Sequence, residues 1–144
     1  MVLYPLSVII GVFKMNIYAL RLQPNQDLRM ELEHICLAKN WSSAWIVTCV
    51  GSLIQANLRM AGASEKLLLK GPFEITSLVG TLSQDGVHLH ITLSDSTGRT
   101  IGGHLCRESK IFTTAEIVIG YDSNITFERN LDPHTGYDEL HVQQ

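Results

Sequence analysis

The segment from Val87 to Ser94 constrains the fold of this chain more than any other, because apolar and polar residues alternate in it without a fault. Successive side chains of a β-strand point to opposite faces, so the pattern predicts a strand with one buried face. His88 and His90 would stand together on the other face, with their Cα atoms ~7 Å apart. The segment therefore predicts a β-sheet that presents two imidazoles on its outer side.

The turn after this strand decides where a third histidine lies. If residues 96–98 form a three-residue hairpin loop, the glycine at its end supplies the left-handed conformation that such loops require. The resulting register places His104 directly across from His90, on the same face, with Cβ atoms ~5 Å apart. A two-residue loop at 97–98 would turn His104 away, and the glycine pair at 102–103 could introduce a bulge. The sequence leaves these alternatives open.

Three imidazoles on one face are a ligand set for zinc and related divalent ions. The pattern therefore predicts a divalent-metal site, preferably for zinc, formed by His88, His90 and His104. With no fourth protein ligand, the ion would keep an open position, as catalytic zinc sites do. The alternative is three solvated surface histidines, since His-x-His pairs also arise by chance. The remaining histidines are expected to be structural or exposed: His34, His134 and His141.

The rest of the chain contains one clear helical pattern among many short strand patterns. A helix is predicted over residues 27–39, where apolar residues recur on one face and Asn25 or Asp27 can provide the cap. Strands are predicted at 18–22, 44–50, 53–60, 67–69, 73–82, 87–93, 100–106, 115–121, 125–127 and 137–142. This arrangement predicts an α+β fold: a single compact domain of mainly antiparallel β-sheet with one main helix.

The charge of the chain argues against a self-sufficient nucleic-acid-binding protein. The formal net charge is -3, and the 11 basic residues are scattered without a basic run. Phosphate contacts supply most of the non-specific affinity for DNA and need clustered lysine and arginine. DNA as a partner is therefore weakly supported, although one local patch could still contact it.

The cysteines indicate the compartment. Cys36, Cys49 and Cys106 are odd in number, widely spaced and surrounded by apolar residues. The preferred interpretation is buried free thiols in a reducing cytoplasm, with no disulfide and no role in metal binding.

The first residues of the chain form an apolar segment that needs its own explanation. Residues 1–13 are too short to span a bilayer, which takes ~20 residues, and they lack the basic region and cleavage site of a secretory signal. Residues 1–14 are interpreted as an apolar N-terminal extension, with Met15 as an alternative start and residues 15–144 as the domain. A short membrane-associating segment is the minority alternative, so no membrane partner is expected.

Motifs along most of the chain resemble those of one family. Residues 71–80 resemble the Gly-x-Phe-Glu-Ile-x-Ser-x-x-Gly signature of plants and prokaryotes conserved (PPC) domains. Further motifs continue the resemblance in order over residues 16–142, and they lie at 50–53, 56–59, 88–98, 101–105, 113–118, 127–129 and 132–140. The chain is thus identified as a member of the prokaryotic branch.

The resemblance implies a compact α+β domain that assembles as a homotrimer. The family is often labelled DNA-binding because plant members carry AT hooks beside the domain, and this chain has none. Prokaryotic members resemble metal-binding proteins, and the fold is similar to that of acetolactate decarboxylase, a metalloenzyme with a three-histidine zinc site. Of that site, only His88, His90 and His104 can be carried over to this chain.

Three functions follow as hypotheses, and whether the chain is an enzyme stays open among them. The first is a trimeric metal-binding protein acting on a small metabolite, with Glu74 as a candidate proton shuttle; a carboxylate in a trimer contact is the alternative role for Glu74. Arg59 and Arg129 could bind an anionic substrate, but ion pairing at a surface or interface is the preferred interpretation of both. The second is a DNA-binding regulator. The third is an interaction module whose histidines stabilise a trimer.

Overall fold

Residues 15–143 are described by a computed structural model, and they form one α-helix and eight β-strands. In chain order these are β1 (Asn16–Leu22), α1 (Leu28–Lys39), β2 (Ala44–Arg59), β3 (Lys66–Ser83), β4 (Gly86–Ser94), β5 (Thr100–Leu105), β6 (Lys110–Tyr121), β7 (Thr126–Leu131) and β8 (Asp138–Gln143). The mainly antiparallel α+β class with a single helix is confirmed. The predicted extension at 1–14 lies outside the described residues.

Six strands form one antiparallel sheet and two form a separate ribbon. The order in the sheet is β1-β6-β2-β3-β4-β5, and the far end of β2 also pairs with β5. This second pairing closes β2, β3, β4 and β5 into a ring. β7 and β8 form a two-stranded antiparallel ribbon, called the C-terminal ribbon below. The ring positions the predicted histidine hairpin, because β4 and β5 are held on both of their edges.

The helix begins and ends where its capping residues predict. The Asp27 side chain accepts a hydrogen bond from the backbone N–H of Met30, which places Asp27 at the N-cap. Asn40 ends the helix in a left-handed conformation with φ 54°. Leu28, Leu32 and Cys36 are buried on one face, as the predicted stripe requires.

The two longest strands differ from the prediction. Residues 44–50 and 53–60 form one strand, β2, and residues 67–69 and 73–82 form one strand, β3. The gap predicted at 51–52 corresponds to a register shift against β6 after Gly51, through which β2 continues. Gly51 and Gly80 both lie where a neighbouring strand comes close. A Cβ at Gly51 would come within 2.1 Å of the Thr114 carbonyl oxygen, and one at Gly80 within 2.0 Å of the His88 carbonyl oxygen. These glycines allow close strand approach and do not end the strands.

The three cysteines are free and buried, as predicted. Burial raises the pKa of the Cys36 and Cys49 thiols to about 12, so both are protonated near neutral pH. No helix within residues 15–143 is long and apolar enough to cross a membrane.

Candidate metal centre

Strand β4 has the two faces that its alternation predicts. Val87, Leu89, Ile91 and Leu93 are buried in the main core. His88 and His90 are exposed on the opposite face. Burial of the apolar set fixes the orientation of the strand, because a slip by one residue would expose the entire set.

The turn between β4 and β5 has the three-residue form. The backbone N–H of Asp95 donates to the Arg99 carbonyl over 2.9 Å, and that of Gly98 donates to the Asp95 carbonyl over 3.0 Å. Gly98 has φ 82°, the left-handed conformation predicted for it. His90 therefore pairs directly with His104. The predicted register is confirmed, and the two-residue loop and the bulge at 102–103 do not occur.

The Asp95 side chain reinforces this turn. Its Oδ1 accepts hydrogen bonds from the Thr97 backbone N–H at 2.8 Å, the Thr97 hydroxyl at 2.7 Å and the Arg99 backbone N–H at 3.1 Å. These bonds to Thr97, and then those to Arg99, lower the pKa of Asp95 to about 2. The carboxylate therefore remains charged over a wide pH range and holds the loop that sets the histidine register.

The three predicted histidines form one cluster. Their ring centroids are 5.0 Å (His88–His90), 5.2 Å (His88–His104) and 5.7 Å (His90–His104) apart. One ring nitrogen from each lies within 4.8 Å of the others, and the Nε2 atoms of His88 and His90 are 3.2 Å apart. Two nitrogens on a tetrahedral zinc ion would be about 3.4 Å apart, given Zn–N distances near 2.1 Å. The three histidines can therefore hold a metal ion.

The surroundings of the cluster keep two imidazoles neutral. The pKa of His104 is lowered to about 4, first by burial and then by the Arg29 charge. Burial and then the neighbouring His90 lower the pKa of His88. Neutral imidazole is the form that ligates metals. His88 and His104 are therefore in the ligand form at neutral pH.

Arg29, on the first turn of α1, fixes the surroundings of His104. Its Nη1 is 3.1 Å from His104 Nε2 and donates to the Leu105 carbonyl over 2.6 Å, while its Nη2 donates to the Val87 carbonyl over 3.2 Å. Its Nε donates to Glu33 over 2.8 Å. A guanidinium is only a donor, so His104 Nε2 accepts in this contact. The other ring nitrogen, Nδ1, is buried and has no hydrogen-bond partner within residues 15–143.

With Nε2 accepting from Arg29, the buried Nδ1 of neutral His104 carries the proton and is an N–H without a partner within residues 15–143. To bind an ion, His104 would have to free Nε2 from Arg29 or change its tautomer; the three imidazoles together have the donor set and spacing of a metal site. The cluster holds no fourth His, Cys, Asp or Glu ligand in the part of the chain that the structure describes. The residues therefore fit a site with three protein ligands and an open position.

A cavity of about 610 Å³ adjoins the histidines. His88 and His104 line it. The charged residues that line it are Arg29, Glu33, Arg59, Asp85, Arg129, Asp138 and Glu139. The sequence did not point to Arg29 or Glu139 as site residues. An i,i+4 pair of Arg29 with Glu33 could be expected on a helix, but nothing local indicates that Arg29 reaches a strand 75 residues away.

The structure does not bring Glu74 to the histidines. Glu74 is exposed on β3 and pairs with Ser94, near the turn end of β4. His90 pairs with Val79, five residues further along β3, which is about 16 Å of strand. Glu74 does not line the cavity. Its role as a proton shuttle stays a prediction.

Arg59 and Arg129 both reach the cavity. Arg59 lies directly opposite His104 in the β2–β5 pairing, and directly opposed side chains share a face. Arg129, on the C-terminal ribbon, donates from Nη2 to the Thr81 hydroxyl over 2.7 Å, and Thr81 lies opposite His88. The preferred interpretation from sequence was an ion pair for each. Neither forms one with a carboxylate of residues 15–143.

Comparisons with known proteins agree with the resemblance found in the motifs. A sequence model of the Plants and Prokaryotes Conserved (PCC) domain matches residues 11–121. The chain is 45% identical over 130 residues to the bifunctional protein GlmU of Synechococcus sp. strain JA-3-3Ab, a match that covers 90% of this chain. It spans 21% of the length of that relative.

Three solved structures share the fold. A hypothetical protein from Salmonella cholerae-suis is 40% identical, with a TM-score of 0.89 over 93% of this chain and 97% of that one. A metal-containing protein from Archaeoglobus fulgidus is 26% identical, with a TM-score of 0.78 over 92% and 99%. A candidate DNA-binding protein from Bacteroides thetaiotaomicron is 24% identical, with a TM-score of 0.76 over 88% and 91%, and this likeness concerns the fold alone.

Proposed function

The chain belongs to the Plants and Prokaryotes Conserved domain family, and we propose that it binds a divalent metal ion, zinc in the first place, through His88, His90 and His104. One observation carries the proposal: the three imidazoles meet with one ligand nitrogen each inside 4.8 Å. The likeness to a metal-containing protein from Archaeoglobus fulgidus supports it.

The cavity beside the histidines extends the proposal to a metalloenzyme that acts on a small metabolite. A bound zinc ion would act as a Lewis acid or lower the pKa of a bound water. The chain's own contribution is a set of three imidazoles on one hairpin face, beside a cavity of about 610 Å³, a size typical of small-molecule sites. The resemblance to the acetolactate decarboxylase fold stays a prediction, and no reaction is assigned from it.

We also propose that the chain works as a homotrimer. Large apolar side chains are exposed on the main sheet, and contact with further subunits would remove them from water. They include Val47, Val50, Leu68, Val79 and Phe112. The buried free thiols support a reducing, cytoplasmic setting.

Elemental analysis of tag-free protein, purified without chelator, tests the metal proposal. The His88→Ala/His90→Ala variant should lose the metal, and His34→Ala/His134→Ala, which removes two exposed histidines outside the cluster, should keep it. We expect near-stoichiometric zinc or another transition metal in the wild type and in the control variant. No metal in the wild type, even after zinc is added back, would refute the proposal.

DNA binding is the second candidate, favoured by the shared fold with a candidate DNA-binding protein from Bacteroides thetaiotaomicron. The net charge of -3 works against it. Fluorescence anisotropy with a labelled duplex at low salt separates the two. An increase in anisotropy that disappears steeply with added salt would favour DNA binding. No increase at low salt would exclude DNA binding.

A further inference from the structure

The charges closest to the histidines are mostly positive. Arg29, Arg59 and Arg129 line the cavity beside them, and the partly buried Glu139 is the one carboxylate that opposes these charges at His88. Arg29 is paired with Glu33, so Arg59, Arg129 and Glu139 leave an excess of one positive charge next to the imidazoles. The other two carboxylates of the lining, Asp85 and Asp138, are exposed to solvent, which screens them.

The three arginines differ in how far they are already engaged. Arg29 donates to Glu33 and to two backbone carbonyls, which uses most of its donors. Arg129 has one side-chain hydrogen bond, to the Thr81 hydroxyl, and Arg59 has none with residues 15–143. Both are only partly exposed. Their remaining donors are therefore available to a ligand in the cavity.

A bound divalent ion would make this excess of positive charge larger. Its two charges would raise the excess around the histidines from one to three, in a cavity partly shielded from solvent. Opposing charge from a ligand would stabilise that arrangement, and a guanidinium binds planar carboxylate and phosphate groups through paired hydrogen bonds.

We propose that the cavity binds a small organic anion, a carboxylate or a phosphate ester, whose charged group is held by Arg59 and Arg129 beside the three histidines. The position of the anion next to a metal ion rests on the proposed function. The two arginines do not need the metal, so weaker anion binding is expected without it. The ligand class thereby narrows from any small metabolite to an acidic one.

Calorimetric titration of the zinc-loaded and metal-free protein with two probes, inorganic phosphate and malonate, tests the proposal. Malonamide serves as the uncharged analogue of malonate. We expect at least one anion to bind the zinc-loaded protein and malonamide not to bind. Binding of phosphate but not of malonate would indicate phosphate esters as the ligand class. Binding of malonate but not of phosphate would indicate carboxylates.

Two variants and a matched control assign the site. Arg59→Gln and Arg129→Gln should each weaken anion binding by about tenfold or more, because each removes a charge-assisted hydrogen bond. Arg21→Gln is the control, since Arg21 also donates to a threonine hydroxyl, that of Thr114, but lies exposed on β1 outside the cavity. Circular dichroism melting shows whether Arg129→Gln still holds the C-terminal ribbon in place, and Arg59→Gln tests the site independently of that ribbon.

The outcomes separate the anion site from the metal site. If zinc binds but neither anion does, or if both arginine variants bind anions as the wild type does, the anion proposal is overturned and the metal proposal stands. If zinc does not bind and anion binding still depends on Arg59 and Arg129, the metal proposal fails and the anion site stands.

Discussion

The β4–β5 hairpin and the C-terminal ribbon reach the same cavity, but they are held in very different ways. The hairpin buries Leu89, Ile91 and Leu93 in the main core and pairs with β2 and β3 on its outer edges. The two strands of the ribbon pair only with each other, and Leu131 and Val142 are exposed at 69% and 42%. The hairpin supplies the three proposed metal ligands, and the ribbon supplies Arg129 and Glu139. Fixed histidines beside a more weakly held element would suit the proposed site, which must admit a small ligand.

The largest difference between the two regions is expected in the stability lost when a leucine is truncated to alanine. Leu89→Ala in the hairpin should lower the free energy of unfolding by about 2–5 kcal/mol, because a fully buried leucine leaves a cavity. Leu140→Ala in the ribbon should cost much less, since this side chain is 39% exposed. Urea unfolding of both variants checks the contrast. Equal losses would mean that the ribbon belongs to the main core.

The second predicted effect is a pH dependence of the stability of the metal-free protein. His104 has a pKa of about 4 when folded, below the ordinary value of 6.5, so the unfolded chain binds more protons between these values. Stability should therefore fall as the pH decreases from about 6.5 to about 4. Thermal melts in the presence of a chelator measure this pH dependence. The substitution His104→Asn should reduce the slope of stability against pH. The matched substitution His34→Asn, at an exposed site, should leave the slope unchanged.

The hairpin follows from local rules, which is why the sequence predicts it. Strict alternation decides which face of β4 is buried, and Gly98 decides the loop length and thus the partner of His104. Both signals lie within 20 residues of one another. The division into separate strands at 51–52 and 70–72 was wrong, because β2 and β3 continue through these positions, β2 with a register shift after Gly51.

The remainder of the site depends on long-range contacts that no local pattern encodes. Arg29 reaches His104 across 75 positions, and Arg129 reaches Thr81 across 48. Glu74 is the opposite case. A family motif drew attention to it, but its position along β3 places it away from the histidines. Residue type and strand register predicted the three-histidine cluster, while the surrounding charges could be found only once the elements were packed together.

A smaller effect is expected at the hairpin turn. Gly98→Ala should lower the free energy of unfolding by about 1–2 kcal/mol, because alanine is strained in the left-handed conformation. No atom lies within 4 Å of the added Cβ, so the cost should come from the backbone alone. Chemical denaturation measures it, with Gly98→Asn as the comparison, since asparagine tolerates this conformation better. An equal loss in both variants would contradict this explanation.

The smallest effect is expected where the ribbon meets the sheet. Thr81→Val should lower the free energy of unfolding by about 0.5–1.5 kcal/mol, because it removes the hydrogen bond that Arg129 donates to Thr81. Hydrogen exchange should show faster opening in β7 and β8 and unchanged protection in β4. Loss of protection in β4 as well would contradict the separation of the two regions.

Zinc K-edge X-ray absorption on the zinc-loaded protein tests the central claim most directly. The account predicts three imidazole nitrogens at about 2.0–2.1 Å, with the remaining coordination from oxygen, and the loss of this signal in His104→Ala. Fewer imidazoles in the wild type, sulfur ligands at about 2.3 Å, or an unchanged spectrum in His104→Ala would contradict a metal centre formed by His88, His90 and His104.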